Sequence, residues 1–498
     1  MRHRKFEFKL KSALLVFFLA GVSLFSVAQR KLTIEQALEI AEENNPSMKS
    51  AKLSLQRTQF NLEASRASLK PQFSLNVNPI NYSQSRNFDQ TRSEWYTSKN
   101  LSLSGTFQSE MTFLPTDATL RLTNTLGHQN SESTRSSASN KNKAFTNDLS
   151  LRLTQPIFTY NRTKMEMKRL EFDHENSGIS YALSRLRTEQ SITRQFYTVY
   201  LNKSSLEINL AELENVKKNY AIVKAKVDAE ASPEEELAQA EVNLANANSS
   251  VLQSKVTLQN SIENLNQLLG LPLSEDIDVD VTVEAKAILI DEEKAIHYGL
   301  SSRMELRQRE ISMAEADLQM MTVKAQNEFR GDISLSLGIS GDNENFANIY
   351  EKPTNSPRVS ISFNVPIFDW GMKKARVNAQ KTAQTIARLN YENEIVGIEL
   401  DIRQSIRSLN NSLQQIEIAE IAIRNADNTY KLNQYRYLEG SLSGLQMSQF
   451  QTQFSNAQIS LVRAQINYKN ELLNMRIITL YDFEIDKPIL PVKELMSP

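Results

Sequence analysis

Apolar positions recur with a four-three spacing over two very long stretches of the chain. Ile192, Phe196, Val199, Lys203, Leu206, Leu210, Leu213, Lys217, Tyr220, Lys224 and Val227 form the first row. Moved forward by 210 positions, it becomes Ile402, Ile406, Leu409, Leu413, Ile416, Glu420, Ile423, Asp427, Tyr430, Gln434 and Tyr437. Eight of the eleven positions are apolar in each row. A mean period of 3.5 predicts helices packed knobs-into-holes along one seam. A returning helix repeats the relation. Ala240, Leu244, Ala247, Val251, Ser254, Leu258, Ser261, Leu265 and Leu268 map onto Phe450, Phe454, Ala457, Leu461, Ala464, Tyr468, Glu471, Met475 and Ile478. Each half is therefore expected to hold a helical hairpin, at 161–269 and 370–480. An outgoing helix of about 67 residues would span roughly 100 Å, and its shorter return roughly 55 Å. Helical segments at 46–69 and about 303–328 are expected to cover the remainder.

Between the helices the period changes to two. Leu149, Leu151 and Leu153 interleave with Ser150, Arg152 and Thr154, and Val359, Ile361, Phe363 and Val365 with Ser360, Ser362 and Asn364. Phe73, Leu75 and Val77 open the first strand pair, and Ile333, Leu335, Leu337 and Ile339 the second. Such strands have one apolar and one polar face. A soluble sandwich would show this, and so would a transmembrane barrel with lipid outside and water inside. The polar stretches 129–143 and 341–357 read as loops. Pro156 and Pro366 fall where each strand run gives way to a helix, a place that tolerates a missing amide. Phe158, Tyr160, Phe368 and Trp370 follow them and fit either a membrane–water interface belt or packing at the junction.

The N-terminus changes the picture again. Arg2, Arg4, Lys5, Lys9 and Lys11 precede an apolar run, Ala13–Phe25, and the small-x-small sequence Ser26-Val27-Ala28. This predicts an export signal at 1–28. The run is too short to span a bilayer as a helix, which needs roughly 20 residues. A membrane-embedded mature chain would then have to be a barrel.

Composition narrows the chemistry. Lys plus Arg number 57 against 58 Asp plus Glu, giving a net charge of −1 and no basic excess for nucleic acid. The absence of cysteine excludes disulfides, thiol catalysis and Cys-ligated zinc. His3, His128, His174 and His297 share no ligand spacing, so neither metal nor cofactor is expected. No phosphate-binding Gly loop or framed nucleophile appears, so an enzyme is not expected. Met320 and Met321 sit on a helical pattern and read as packing.

The two halves organise the chain as follows. The first repeat covers 29–270, with a helix, strands at 72–155 and a hairpin at 161–269. A linker at 271–290 leads to a second repeat at 291–480, with strands at 332–366 and a hairpin at 370–480. Residues 481–498 form a C-terminal equatorial segment. The fold class is α+β.

Several segments carry a family resemblance. LTIEQALEIAEENNPSMKSAKLSL (Leu32–Leu55), NQLLGLPL (Asn266–Leu273), PIFDWG (Pro366–Gly371) and RYLEGSLSGLQMSQ (Arg436–Gln449) occur in one order. With the duplicated hairpins they resemble the TolC-like outer-membrane efflux family. The resemblance implies a homotrimer in outer-membrane lipid, in which four strands per subunit close a twelve-stranded β-barrel continuous with a periplasmic coiled-coil α-barrel. It implies an exit duct of a tripartite efflux or type I secretion system. Its partners would be a periplasmic adaptor and an inner-membrane transporter of RND, ABC or MFS type. The alternative is a periplasmic coiled-coil scaffold or adaptor with no channel. Two alternating pieces, Leu101–Phe107 and Ala118–Leu126, depart from the family pattern and could be extra strands or a structured loop.

The turns between helices would lie at the periplasmic tip. In the first, Ser232, Pro233 and Glu235 spell a helix start with Ser232 as cap, and Glu234 and Glu236 suit the helix dipole. Gathered by threefold symmetry, Glu234, Glu235 and Glu236 could also form an acidic mouth. The family often carries carboxylates in the second turn. The matching positions here are Gln446 and Gln449, both neutral. Tyr437 matches a family aromatic, and the three are expected to form a neutral hydrogen-bonded constriction.

Overall fold

The computed structural model of the chain describes residues 30–134, 140–280, 283 and 286–489; the expected signal segment lies outside these. Eight helices run in order among the described residues: α1 (Ile34–Asn44), α2 (Pro46–Ser68), α3 (Arg162–Asp228), α4 (Glu234–Leu269), α5 (Glu292–Ser302), α6 (Met304–Ala325), α7 (Met372–Leu438) and α8 (Gly444–Thr479). Helices α3 and α7 have 67 residues each, and α4 and α8 have 36 each. The strands are β1 (Arg30–Leu32), β2 (Gln72–Asp89), β3 (Glu94–Phe113), β4 (Ala118–Ser133), β5 (Asn140–Ile157), β6 (Ile277–Val279), β7 (Arg330–Asn343), β8 (Thr354–Asn355), β9 (Arg358–Asn364), β10 (Tyr481–Asp482) and β11 (Lys487–Pro488). The chain divides into two compact units, one built on 182–303 and 398–489 with the first described residues to 50, the other on 51–181 and 304–397.

The first unit is organised around a short parallel pair, β1 with β6, in which Leu32 faces Val279. Phe196, Leu265 and Leu269 are fully buried beside them, with Leu32 and Ile277 at 1% exposure. Each such side chain contributes about 1.5–3 kcal/mol by leaving water. Two sequence motifs are explained here. Asn45 ends α1 and starts α2: its Oδ1 accepts from the backbone N–H of Ser47 (2.8 Å) and Met48 (3.0 Å), while its Nδ2 donates to the Leu268 carbonyl at 2.6 Å. Gly270 ends α4 with φ +72°, and a Cβ there would lie 2.4 Å from the Asn44 carbonyl oxygen. The Asn-Pro and Leu-Gly segments, 223 positions apart between Asn45 and Leu268, therefore form one joint.

The seam needs a correction. The structure buries Val216 and Val223, not Lys217 and Lys224. In the second half it buries Ala419, Ala426 and Asn433, one residue before Glu420, Asp427 and Gln434. The same one-residue displacement occurs in both halves. Of the other seam positions, Ile192, Phe196, Val199, Leu213, Ile402, Ile406, Leu409, Ile416 and Tyr437 are buried, whereas Leu210 is 42% exposed.

The second unit is built on one antiparallel sheet in the order β2-β3-β4-β5-β7, with β8 and β9 both paired to β7. The four strands per subunit implied by the resemblance become six across the sheet, β2, β3, β4, β5, β7 and β9, with the two-residue β8 extending the β9 edge along β7. Both alternating pieces are strands, with β3 and β4 paired continuously from Ser98↔Ser133 to Phe113↔Ala118. The loop expected at 129–143 is shorter, because β4 and β5 stay paired out to Ser133↔Asn140. Likewise β7 runs to Asn343 within the expected loop 341–357. Backbone pairing continues there without apolar alternation, since a ladder needs only N–H and C=O groups. Met320 is buried, whereas Met321 is 52% exposed, so only the first packs as expected.

Candidate functional site

The ends of both hairpins enclose a cleft of about 170 Å³. It is lined by Val216, Tyr220 and Val223 of α3, Glu235, Glu236, Gln239 and Asn243 of α4, Tyr437 of α7, and Leu445, Ser448 and Gln451 of α8. Tyr437 and Gln451 are 5% and 2% exposed. The Tyr437 hydroxyl and the Gln451 Oε1 have no hydrogen-bond partner among the described residues. The Gln451 amide instead donates to the Glu212 carbonyl at 3.1 Å. Burial first, and the Glu236 carboxylate second, push the Tyr437 hydroxyl above its ordinary pKa. Lys226 Nζ stands 5.6 Å from the centroid of the same ring. Two turns back along α7, Tyr430 stacks on Phe454 at 5.5 Å.

Of the tip residues singled out from sequence, Tyr437, Glu235 and Glu236 share this cleft. Gln446 does not reach it. Its Oε1 accepts from the Ser443 backbone N–H and hydroxyl, both at 3.2 Å, in a capping box that starts α8. Gln449 is exposed and Glu234 does not line the cleft. Within one chain, Tyr437, Gln446 and Gln449 are not bonded to one another. The cap expected at Ser232 is corrected: α4 begins at Glu234 with Pro233 in the cap position and no side-chain cap bond. A Pro in the cap position cannot offer a side-chain acceptor, so the three glutamates of the first turn meet the helix dipole alone. Gln451, Ser448 and Gln239 were missed from sequence. Their signal is a polar residue at a buried i, i+4 position, as in Met447, Gln451 and Ser455.

The sheet is a second candidate surface. On one face lie Leu75, Phe107, Leu120, Leu122, Leu149, Leu151, Leu335, Leu337, Val359 and Ile361; the opposite face carries Ser74, Thr106, Thr123, Thr125, Ser150, Ser334 and Ser360. Much of the apolar face is bare, with Leu75 at 68%, Leu337 at 64% and Val359 at 70% exposure. Aromatic rings gather at both ends. Near the helices, Phe329 sits 5.3 Å from Phe158 and 5.4 Å from Phe363, and Phe368 lies 4.7 Å from Trp370. At the far end, Phe88 pairs with Trp95 at 5.2 Å, and Phe145 with His128 at 4.4 Å.

Pro156 is the penultimate residue of β5, opposite Asp332, and Pro366 lies two residues beyond β9. Neither is a first helical residue. The chain turns instead through left-handed aromatics, Phe158 (φ 57°) and Trp370 (φ 55°). Tyr160 is half-buried and lies beside Arg162 at the start of α3. Asp369 holds the start of α7 by accepting from the N–H groups of Gly371 (3.0 Å) and Lys373 (2.9 Å). No group of metal-ligating side chains occurs among the described residues, and none of their helices is long and apolar enough to cross a membrane.

Duplicated helical hairpins and a two-faced antiparallel sheet are the elements of an α+β chain. Residues 295–479 match the family model described as outer membrane efflux protein. This match covers 185 of the 498 residues and marks the chain as similar to outer-membrane efflux proteins. It is 23% identical over 263 residues to the cation efflux system protein CusC of Escherichia coli O157:H7, covering 50% of this chain and 55% of that protein. It is 22% identical over 337 residues to nodulation protein T of Rhizobium leguminosarum bv. viciae, covering 64% and 65%. The matches thus span little more than half to about two thirds of these relatives. The Campylobacter jejuni CmeC outer membrane channel shares the fold with a TM-score of 0.69 at 16% identity, over 93% of this chain and 89% of that one. The open-state Neisseria gonorrhoeae MtrE channel does so at 0.65 and 14%, over 92% and 93%.

Proposed function

We propose that this chain is the outer-membrane exit duct of a tripartite efflux or type I secretion system, conducting cargo passively from the periplasm or an inner-membrane transporter to the outside. The observation that carries this reading is the sheet, with one apolar and one polar face between two aromatic ends. From Phe145 to Phe158 along β5, a tilted strand covers roughly 30 Å of height, matching a lipid-facing band between aromatic girdles. Phe158, Tyr160, Phe368 and Trp370 are the girdle on the helical side. Bare edges are not tolerated in lipid, so copies of the chain, three in this reading, close the sheet into a barrel. The hairpins then form the periplasmic tube, which an adaptor and an RND, ABC or MFS transporter would meet.

At the tip, Tyr437, Gln446 and Gln449 narrow the tube, with bonds made between copies rather than within one. Glu234, Glu235 and Glu236 form an acidic mouth that suits a basic adaptor tip. The test is reconstitution of detergent-extracted protein in planar bilayers. Stepwise ion conductance from a trimer supports the duct. A particle released by salt without detergent, with no conductance, points to the scaffold instead. Unchanged conductance in Gln449→Ala would remove that residue from the constriction.

A further inference from the structure

Two strands of the sheet, β3 and β4, are additional to the pattern the family resemblance implies, and they are built into the sheet. They pair with each other and with β2 and β5 over nearly their whole lengths. Their turn is tied to the helix start: Asp117 accepts from the N–H groups of Arg162 and Thr163, Asn161 Nδ2 donates to the Leu114 carbonyl at 2.6 Å, and Gln155 Nε2 donates to the Thr116 carbonyl at 2.8 Å. Their apolar residues continue the same face, with Leu120 opposite Leu153 and Leu122 opposite Leu151.

We propose that three copies close an eighteen-stranded wall, six strands from each, with β9 of one copy pairing antiparallel to β2 of the next. This rests on the duct reading above. Both edge strands are exposed along almost their whole length. They run in opposite directions, since β2 leaves a helix and β9 leads into one. A register shift at Asn78/Asn81, beside Pro79, leaves β2 a regular inner stretch of seven residues, Gln72 to Asn78. The strand β9 has seven residues, Arg358–Asn364. Pairing Gln72 with Asn364 and Asn78 with Arg358 sets Phe73, Leu75 and Val77 opposite Phe363, Ile361 and Val359. All six then stay on the apolar face.

This register can be checked against barrel geometry. Stepping squarely across the sheet from Gln72 passes through Glu110, Arg121, Arg152 and Ser336 to Arg358. The next step reaches Asn78 of the neighbouring copy, six residues along from Gln72. Three copies accumulate a stagger of about eighteen residues over eighteen strands, which at ordinary strand spacings corresponds to a tilt of about 35°. Closed barrels tilt by roughly 35–45°. Diameter grows roughly linearly with strand number, so this lumen would be about 1.5 times as wide as that of a twelve-stranded barrel. Its lining mixes Ser104, Thr106, Thr123, Thr125, Ser150 and Ser334 with Glu110, Arg121, Asp148, Arg152, Asp332 and Arg358 on the same face, so passing cargo meets charges of both signs.

Strand-resolving electron cryo-microscopy of the detergent-extracted full chain tests this. The expected result is eighteen strands with Leu75 opposite Ile361 of the next copy. A threefold hollow particle with twelve strands, or with β2 and β9 apart, overturns the wall while leaving the duct intact. A particle with no membrane belt removes the duct reading itself. The chain has no cysteine. Oxidised Ser74→Cys/Ser362→Cys or Asn76→Cys/Ser360→Cys pairs should run as covalent trimers on a non-reducing gel, and failure of both overturns the register.

Discussion

Asp117, in the turn between β3 and β4, caps the 67-residue helix α3 by accepting hydrogen bonds from the Arg162 (3.2 Å) and Thr163 (3.3 Å) amides. It also accepts from the Thr163 hydroxyl. Asp117→Ala should cost about 1 kcal/mol and lower the melting temperature. Asp117→Asn, which tolerates the left-handed backbone (φ 60°) and keeps an acceptor, should lose less. Thermal melts of the extracted protein check this, and equal losses in both variants would refute the capping role.

Gly270 joins two constraints, a left-handed backbone and a close approach to Asn44. Gly270→Ala should destabilise by about 2 kcal/mol or more, since the backbone term alone is roughly 1–2 kcal/mol. Denaturant titration measures it, and a loss under 0.5 kcal/mol would show that the joint relaxes easily.

Tyr437 carries a buried hydroxyl with no partner among the described residues of its own chain. If no neighbouring copy bonds it, Tyr437→Phe is neutral or stabilising. If the tip constriction exists, the same variant destabilises the assembly and raises resting conductance. The proposal expects the second outcome, read from melting temperature and bilayer current together.

Burial pushes the hydroxyls of Tyr197, Tyr430, Tyr437 and Tyr468 above the ordinary tyrosine value. Their contribution is fully present below the unfolded value near pH 10. It is lost as pH rises through the higher folded values. Melting temperature should therefore fall as pH rises above about 10, and less steeply in Tyr437→Phe. A flat profile contradicts the burial.

The two faces of β5 should respond differently to charge. Leu151→Arg, on the apolar face, should destabilise by about 2–4 kcal/mol if it meets the bilayer centre. Ser150→Arg, on the polar face, should fold normally and, in the proposed duct, shift ion selectivity toward anions. Equal tolerance at both positions would deny the lipid-facing assignment.

What the sequence revealed follows physical lines. Period-two runs such as Leu149, Leu151 and Leu153 were legible because lipid or core must see one face only. The helix rows were legible at Ile192 and Leu409, but their alternate positions were displaced by one. Ala419, Ala426 and Asn433 are buried for being small or bonded rather than apolar. The Ser232 cap failed because capping depends on backbone angles that residue type only biases. The cleft partner Gln451 was hidden because a polar residue on a helix usually marks solvent, and only packing distinguishes the exception.

The β3–β4 hairpin also limits how such a wall can change. In the proposed barrel each strand would carry the chain from one side of the membrane to the other, so inserting a single strand would send α3 out on the wrong side. An inserted pair returns the chain to where it started and leaves every downstream helix on its own side. Width is then quantised in whole hairpins, multiplied by the number of copies. One insertion per chain adds six strands to a threefold ring at once, with no intermediate size between twelve and eighteen.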